Sequence, residues 1–141
     1  MIATNRRKAL ILLGIGVGIV LLVAYLTVSQ LQPRGIPYGD VTIEQAAELI
    51  ATTPSLVLLD VRTDGEFDGG HLEGAVNIPV DELEHRIDEL DSNAQLLVYC
   101  RTGNRSRRAV QLLLDNSFSK LYHMSAGITA WMDAGYPVNT D

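Results

Sequence analysis

The longest apolar run in the chain, Ala9 to Val28, reads ALILLGIGVGIVLLVAYLTV and contains no charged side chain. As a helix it would measure about 30 Å at ~1.5 Å per residue, the thickness of a bilayer core. A helix that is apolar on every face does not suit the surface of a small globular protein. Residues 9–28 are therefore expected to form a transmembrane helix. The cationic stretch Asn5-Arg6-Arg7-Lys8 precedes it, so the positive-inside rule places residues 1–8 in the cytoplasm and the rest of the chain outside the cell membrane. A cleaved leader has a shorter apolar region followed by small residues at a fixed offset. Thr27-Val28-Ser29 is the nearest approximation, and secretion after cleavage is the alternative to a retained signal anchor. No cysteine near the segment offers a site for lipid attachment. Gly14 and Gly18 make one GxxxG, an ordinary occurrence in membrane helices.

Beyond residue 28 the pattern changes. Residues 29–39 hold Pro33, Gly35, Pro37 and Gly39 and read as a linker. Thr42-Ile43-Glu44-Gln45 fits a capping box, opening a helix that runs to about Ala51. Leu56 to Val61 is a continuous apolar run, broken only by Asp60, that reads as a strand buried on both faces. A second strand is expected over Ala75–Ile78, stopped by Pro79. A helix follows over Asp81–Leu90, with Leu83, Ile87 and Leu90 at helical spacing and its acidic side chains on a solvated face. Then come a strand over Gln95–Tyr99, a helix over Ser106–Leu114 ended by Asn116 in the left-handed conformation, and a strand over Lys120–His123. The last helix spans Ile128–Ala134, with Trp131 on its apolar face, and closes at Gly135 and Pro137. Strands alternating with helices predict an α/β domain over 40–141, with a mainly parallel central sheet flanked by helices. Ligands in such folds sit at the carboxyl ends of strands.

Charge sharpens this division. The 141 residues carry a formal −6, from 11 Lys and Arg against 17 Asp and Glu. Arg6, Arg7, Lys8 and Arg34 account for four of the cations, and no acid precedes residue 35. The remaining seven cations against 17 acids leave residues 35–141 at −10. That excludes general nucleic-acid binding, which needs a basic footprint. The single Cys excludes an intramolecular disulfide framework, a CxxC pair and a multi-cysteine zinc site.

That cysteine stands at a strand end, in Tyr99-Cys100-Arg101-Thr102-Gly103-Asn104-Arg105-Ser106, ahead of a helix. A strand-to-helix turn leaves free backbone amides pointing inward, and the helix dipole favours negative charge there. Arg101, Arg105, Arg107 and Arg108 gather four of the domain's seven cations nearby. Together these favour thiolate over thiol, so Cys100 is expected to be a low-pKa nucleophile. Gly103 permits the tight turn. Arg101 and Arg105 suit an oxyanion, and Thr102, Asn104 and Ser106 offer further donors.

The segment Leu59-Asp60-Val61-Arg62, then Glu66-Phe67, then Gly70 to Pro79 (GHLEGAVNIP) resembles the first signature of rhodanese domains. Cys100 to Ser106 resembles their active-site loop, and Ala130-Trp131 with Gly135 to Val138 resembles their C-terminal ending. The family often has Gly where this chain has Ser117, and a Gly-Gly pair where it has Ala126-Gly127. The resemblance covers 40–141 and implies a thiosulfate sulfurtransferase with an N-terminal membrane anchor. It implies that Cys100 takes a sulfane sulfur as a persulfide and passes it to cyanide or a thiol, with Asp60 and Arg62 supporting the loop. The alternative to that role, and the one the residues favour, is a purely structural one: hydrogen bonds and an ion pair, such as Arg62 with Glu66. His71 is expected to be a satisfied structural histidine, and His85 and His123 show no ligand-like partners. No metal or other cofactor is expected, because one Cys and three scattered His do not assemble a ligand set. The partners are a small anionic sulfur donor, a thiol or cyanide acceptor, and the membrane through residues 9–28.

Two other functions compete. A non-catalytic sulfur carrier or interaction module at the membrane needs the same loop. A cysteine phosphatase or arsenate reductase needs Cys-x5-Arg, which would put Arg at 106, where this chain has Ser106.

Overall fold

The computed structural model of the chain describes residue 36 and residues 38–140. The apolar run at 9–28 lies outside the described residues. Among the described residues no helix is long and apolar enough to cross a membrane.

Among the described residues, five strands and five α-helices form one α/β unit that begins at Ile36. In chain order they are β1 (Gly39–Val41), α1 (Ile43–Thr52), β2 (Val57–Asp60), α2 (Asp64–Asp68), β3 (Val76–Asn77), α3 (Leu83–Arg86), β4 (Leu96–Tyr99), α4 (Asn104–Asp115), β5 (Leu121–Met124) and α5 (Gly127–Asp133). The strands lie in the order β1-β5-β4-β2-β3, all pairs parallel. The mainly parallel sheet expected from the apolar runs is thus observed. Successive strand residues point to opposite faces, which sorts the core into two layers. Val41, Leu58, Leu97, Tyr99, Tyr122 and Met124 pack with α1 and with Ile128 and Trp131 of α5. Leu59, Leu96, Val98, Cys100 and Leu121 pack on the other face with Leu83, Ala109, Leu113 and Phe118.

Helix α1 starts at the expected capping box: Gln45 N–H donates to Thr42 Oγ1 and Thr42 N–H donates to Gln45 Oε1. Strands β3 and β5 and helices α4 and α5 have ends one or two residues from those expected, and other differences go further. Strand β1 was not anticipated: it begins at Gly39, the last residue read as linker, and three residues with only Val41 buried give no alternating pattern to detect. Helix α2 was not anticipated, because it spans five residues and buries none. The helix expected over Asp81–Leu90 is a single α-turn continued by a 3-10 turn at Ile87–Glu89. The C-terminus of α4 is shifted by one residue.

At that terminus Asn116 has φ −105°, and Ser117 takes the left-handed conformation at φ 69°. Ser117 N–H donates to Leu114 O at 3.1 Å and Phe118 N–H to Leu113 O at 3.1 Å. This is the two-bond ending that follows a helix when the residue past its cap turns left-handed, with an apolar contact closing it. Phe118 and Leu113 supply that contact. Among the described non-glycine residues Ser117 alone has positive φ, and an L side chain there costs ~1–2 kcal/mol. Replacing it with glycine removes that cost and returns part of it as unfolded-chain entropy. Ser117→Gly is therefore expected to raise unfolding free energy by roughly 0.5–1 kcal/mol. Urea denaturation checks this; an unchanged or lower midpoint would contradict it.

Candidate functional site

Cys100 directly follows β4 and is 1% exposed, packed on the α4 face of the sheet. Its Sγ accepts hydrogen bonds from the Gly103 amide at 3.1 Å and from the Ser106 hydroxyl at 3.3 Å. Burial alone pushes the thiol up. The Ser106 hydroxyl and the amides of Ser106, Thr102 and Gly103 act the other way and prevail, so the thiol lies below its ordinary value. The lowering expected from the sequence is present, but amides and one hydroxyl are its larger causes, and the coulombic pull between Arg105 and Cys100 adds to them.

The loop is held by close approach of backbone to backbone. Ile128 N–H donates to Cys100 O at 2.9 Å and Thr129 N–H donates to Arg101 O at 3.2 Å, so the start of α5 satisfies the loop's carbonyls. Two glycines make this possible. Gly103, at φ 94°, has no room for a Cβ, which would stand 2.0 Å from Ser125 O. Gly127, at φ 72°, would place a Cβ 2.3 Å from Arg101 O. Gly103 was singled out from the sequence. Gly127 is the first residue of α5, and its bearing on the cysteine loop appears only in three dimensions.

The residues expected in the loop divide by position. Gly103 and Ser106 are buried against the sulfur, whereas Arg101, Thr102 and Asn104 are exposed. Arg107 and Arg108 are also exposed, and Arg108 approaches Asp81 at 3.3 Å. Arg105 is engaged: its Nη1 and Nη2 donate to the two oxygens of Glu66 at 2.6 and 2.8 Å.

Asp60 and Arg62 lie together under the site. Arg62 Nε and Nη2 donate to the Asp60 carboxylate at 2.6–3.0 Å, and the Arg62 amide donates to Asp60 Oδ1 at 2.9 Å. Arg62 Nη2 also reaches Gly70 O at 2.7 Å. The side chains are 6% and 0% exposed, and such a pair is costly to break because one charge is then left buried alone. The expected pairing of Arg62 with Glu66 is not found: Asp60, two residues away, claims Arg62, which frees Glu66 for Arg105. His71 is buried, with Nδ1 3.0 Å from Phe67 O and its ring stacked 3.7 Å from that of Phe67. Trp131 is in the core and donates to Pro137 O. His123 has hydrogen-bonding neighbours that the sequence did not signal: Nε2 lies 2.9 Å from Ser106 Oγ and Nδ1 lies 2.7 Å from Asp40 Oδ1. Asp40 and His123 are 83 positions apart, and no local pattern signals that parallel register brings them together. Among the described residues no cluster of His, Cys, Asp and Glu could hold a metal ion.

Comparison with known proteins identifies the family and relatives of this chain. The family model described as rhodanese-like domain matches residues 42–134. The chain is 39% identical over 74 residues to "Uncharacterized protein YqhL" of Bacillus subtilis, covering 52% of this chain and 59% of that protein. It is 34% identical over 80 residues to "Thiosulfate sulfurtransferase GlpE" of Shewanella oneidensis, covering 57% of this chain and 79% of the relative. Among solved structures, a rhodanese-related protein of Thermoplasma volcanium superposes with a TM-score of 0.67 at 30% identity, covering 74% of this chain and all of the other.

The Glu66–Arg105 pair carries a pH signature. Hydrogen bonds from Arg105 outweigh partial burial, and with Thr63 they hold the Glu66 carboxyl at about 2, against an ordinary 4.5. A depressed folded-state value stabilises the protein above pH ~4.5, and that stabilisation fades as pH falls towards 2. The side chains are 31% and 30% exposed, so solvent screening limits the effect to on the order of 1 kcal/mol. Glu66→Gln keeps a cap acceptor for Thr63. It is expected to be less stable than the parent at neutral pH, with the two denaturation midpoints converging as pH approaches 2. A constant difference across that window would contradict the assignment.

Proposed function

The chain belongs to the rhodanese-like domain family, and we propose that it moves a sulfane sulfur from a donor such as thiosulfate to cyanide or a thiol through a persulfide on Cys100. The observation that carries this reading is the sulfur of a buried cysteine facing backbone amides and a serine hydroxyl, with its ionisation favoured despite burial. A thiolate there attacks the outer sulfur of thiosulfate. A new S–S bond forms, the bond within thiosulfate breaks, and sulfite leaves with the electron pair. The acceptor then attacks the outer sulfur of the persulfide and releases Cys100 as thiolate. The two half-reactions pass through one covalent intermediate, and donors aimed at the developing negative sulfur stabilise both.

Exposed Arg101, Thr102 and Asn104 line the approach and suit an anionic donor. Arg105 meets the donor already neutralised by Glu66, so its assigned part is to stiffen the rim and share its charge. Asp60 and Arg62 hold the strand ends beneath the loop. A Cys-x5-Arg phosphatase is disfavoured, because Ser106, the residue in place of that arginine, is buried against the sulfur.

The decisive experiment is mass spectrometry after incubation with thiosulfate. One added sulfur is expected on Cys100 and none in Cys100→Ser, and turnover with thiosulfate and cyanide should fall to background in that variant. Retained turnover would sink the reading. Loading without turnover would instead favour a sulfur carrier.

Residues 9–28 are proposed as a retained signal anchor, with 1–8 cytoplasmic, 29–39 a linker, and the catalytic domain extracytoplasmic; the uncharged run of twenty residues behind three cations supports it. Protease added to intact spheroplasts is then expected to digest the domain, and full protection would contradict this orientation.

A further inference from the structure

His123 and Asp40 take no part in the reaction as set out above, yet they lie one hydroxyl away from its sulfur. His123 is 3% exposed and sits on β5 on the α4 face of the sheet. Its Nε2 is 2.9 Å from Ser106 Oγ, and Ser106 Oγ is 3.3 Å from Cys100 Sγ. Its Nδ1 is 2.7 Å from Oδ1 of Asp40, its direct partner in the β1–β5 register. Ser106 is fully buried and has a third neighbour, Gly103 O at 3.1 Å.

Proton counting shows what this chain can do. A carboxylate offers no proton, so Asp40 fixes the Nδ1–H form of His123. Neutral His123 then presents a bare Nε2, which draws the single Ser106 hydroxyl proton towards itself. The Ser106 oxygen is left free to accept from a Cys100 thiol. Protonated His123 donates from Nε2 to Ser106 Oγ, and the hydroxyl proton turns to the sulfur. The two arrangements differ by the shift of two protons along one line.

We propose that Asp40 and His123 are a positioning pair that takes up the Cys100 thiol proton through Ser106 and holds it while the thiolate reacts. The S–H bond breaks as a proton passes to Ser106 Oγ, and the original Oγ–H proton passes to His123 Nε2. No electrons are exchanged. A neutral thiol and a neutral imidazole become a thiolate and an imidazolium, and the Asp40 carboxylate faces the imidazolium. The other elements against His123 offer little competition. On β4 its cross-strand partner is Val98. On α4 the charged groups are Arg105, taken by Glu66; Arg108, near Asp81; Arg107, which is exposed; and Asp115 at the far end. The Asp40 side chain is 66% exposed, so solvent moderates its grip and its share is the smaller one.

The proposal rests on Cys100 as the reacting group, so its test reads the thiolate without any sulfur transfer. Alkylation of Cys100 by iodoacetamide is followed across pH in the full chain. In His123→Gln the rate near neutral pH is expected to fall about tenfold, with the midpoint of the profile rising by about one pH unit. Asp40→Asn, at an exposed position, should shift it the same way by about threefold in rate, and Asp40→Glu should restore it. In a Ser106→Ala background His123→Gln should add no further loss, because the connection is already cut. If His123→Gln does not fold, Asp40→Asn and its Glu rescue decide. Profiles that superimpose on the parent, or full additivity with Ser106→Ala, overturn the proposal. Failure to load sulfur from thiosulfate alongside a His123-dependent alkylation profile would refute the proposed activity and leave this pair standing.

Discussion

The site depends on one backbone contact: the carbonyls of Cys100 and Arg101 meeting the first amides of α5, with Gly127 pressed against the Arg101 peptide. A buried carbonyl without a donor is costly, and a loop that turns inward after β4 exposes two of them to the interior. The start of α5 resolves this with donors it has to place somewhere. The loop's own amides are thereby released to face the sulfur, and Gly103, tight against Ser125, completes the clamp. The sheet supports the arrangement, since β4 and β5 are hydrogen-bonded neighbours whose carboxyl ends bring both turns to one edge. The Asp60–Arg62 pair and Asn77, which donates to Asp60 O and Arg62 O at 3.0 Å, fix the adjacent end of β2.

At the Cys100 sulfur, electrostatics work chiefly through short-range dipoles. The domain is strongly acidic, and the one arginine that is half-buried beside the cysteine loop is bound to a carboxylate. Net charge near the sulfur is therefore smaller than a count of arginines suggests. Amide dipoles do not titrate and are screened little by salt when buried, so their hold on a sulfur anion depends little on ionic strength. Exposed Arg101 retains the salt-sensitive part, drawing an anion towards the mouth.

How much of this was legible in the sequence follows from interaction range. Continuous apolar runs such as Leu96–Tyr99 identified the buried parallel strands, and the strand–Cys–Gly–helix order located the candidate site, because each is a local pattern. The capping box at Thr42 and Gln45 was local and was read directly. The box at Thr63 and Glu66 has the same form, but its helix is too short to show an apolar period. Pairings between distant segments were not legible. Glu66 and Arg105 are 39 positions apart, and Asp40 and His123 are 83 apart. Arg62 pairs with Asp60, two residues away, and not with Glu66, which Arg105 takes from a distant segment, and the left-handed residue fell on Ser117 because α4 runs one residue further than its apolar period indicates.

Strand β1 has a practical consequence for how the molecule is divided. It is a three-residue edge strand, joined to the sheet through β5 alone. Edge elements with little buried surface open at the lowest free-energy cost. The region shared with the family model starts at residue 42, just past β1. A fragment cut at that boundary would keep the whole cysteine loop and both glycines and would score as an intact domain by sequence. It would nevertheless lack Asp40, and with it the outermost group in the line that ends at the sulfur. For this protein, the functional boundary lies upstream of the recognisable one.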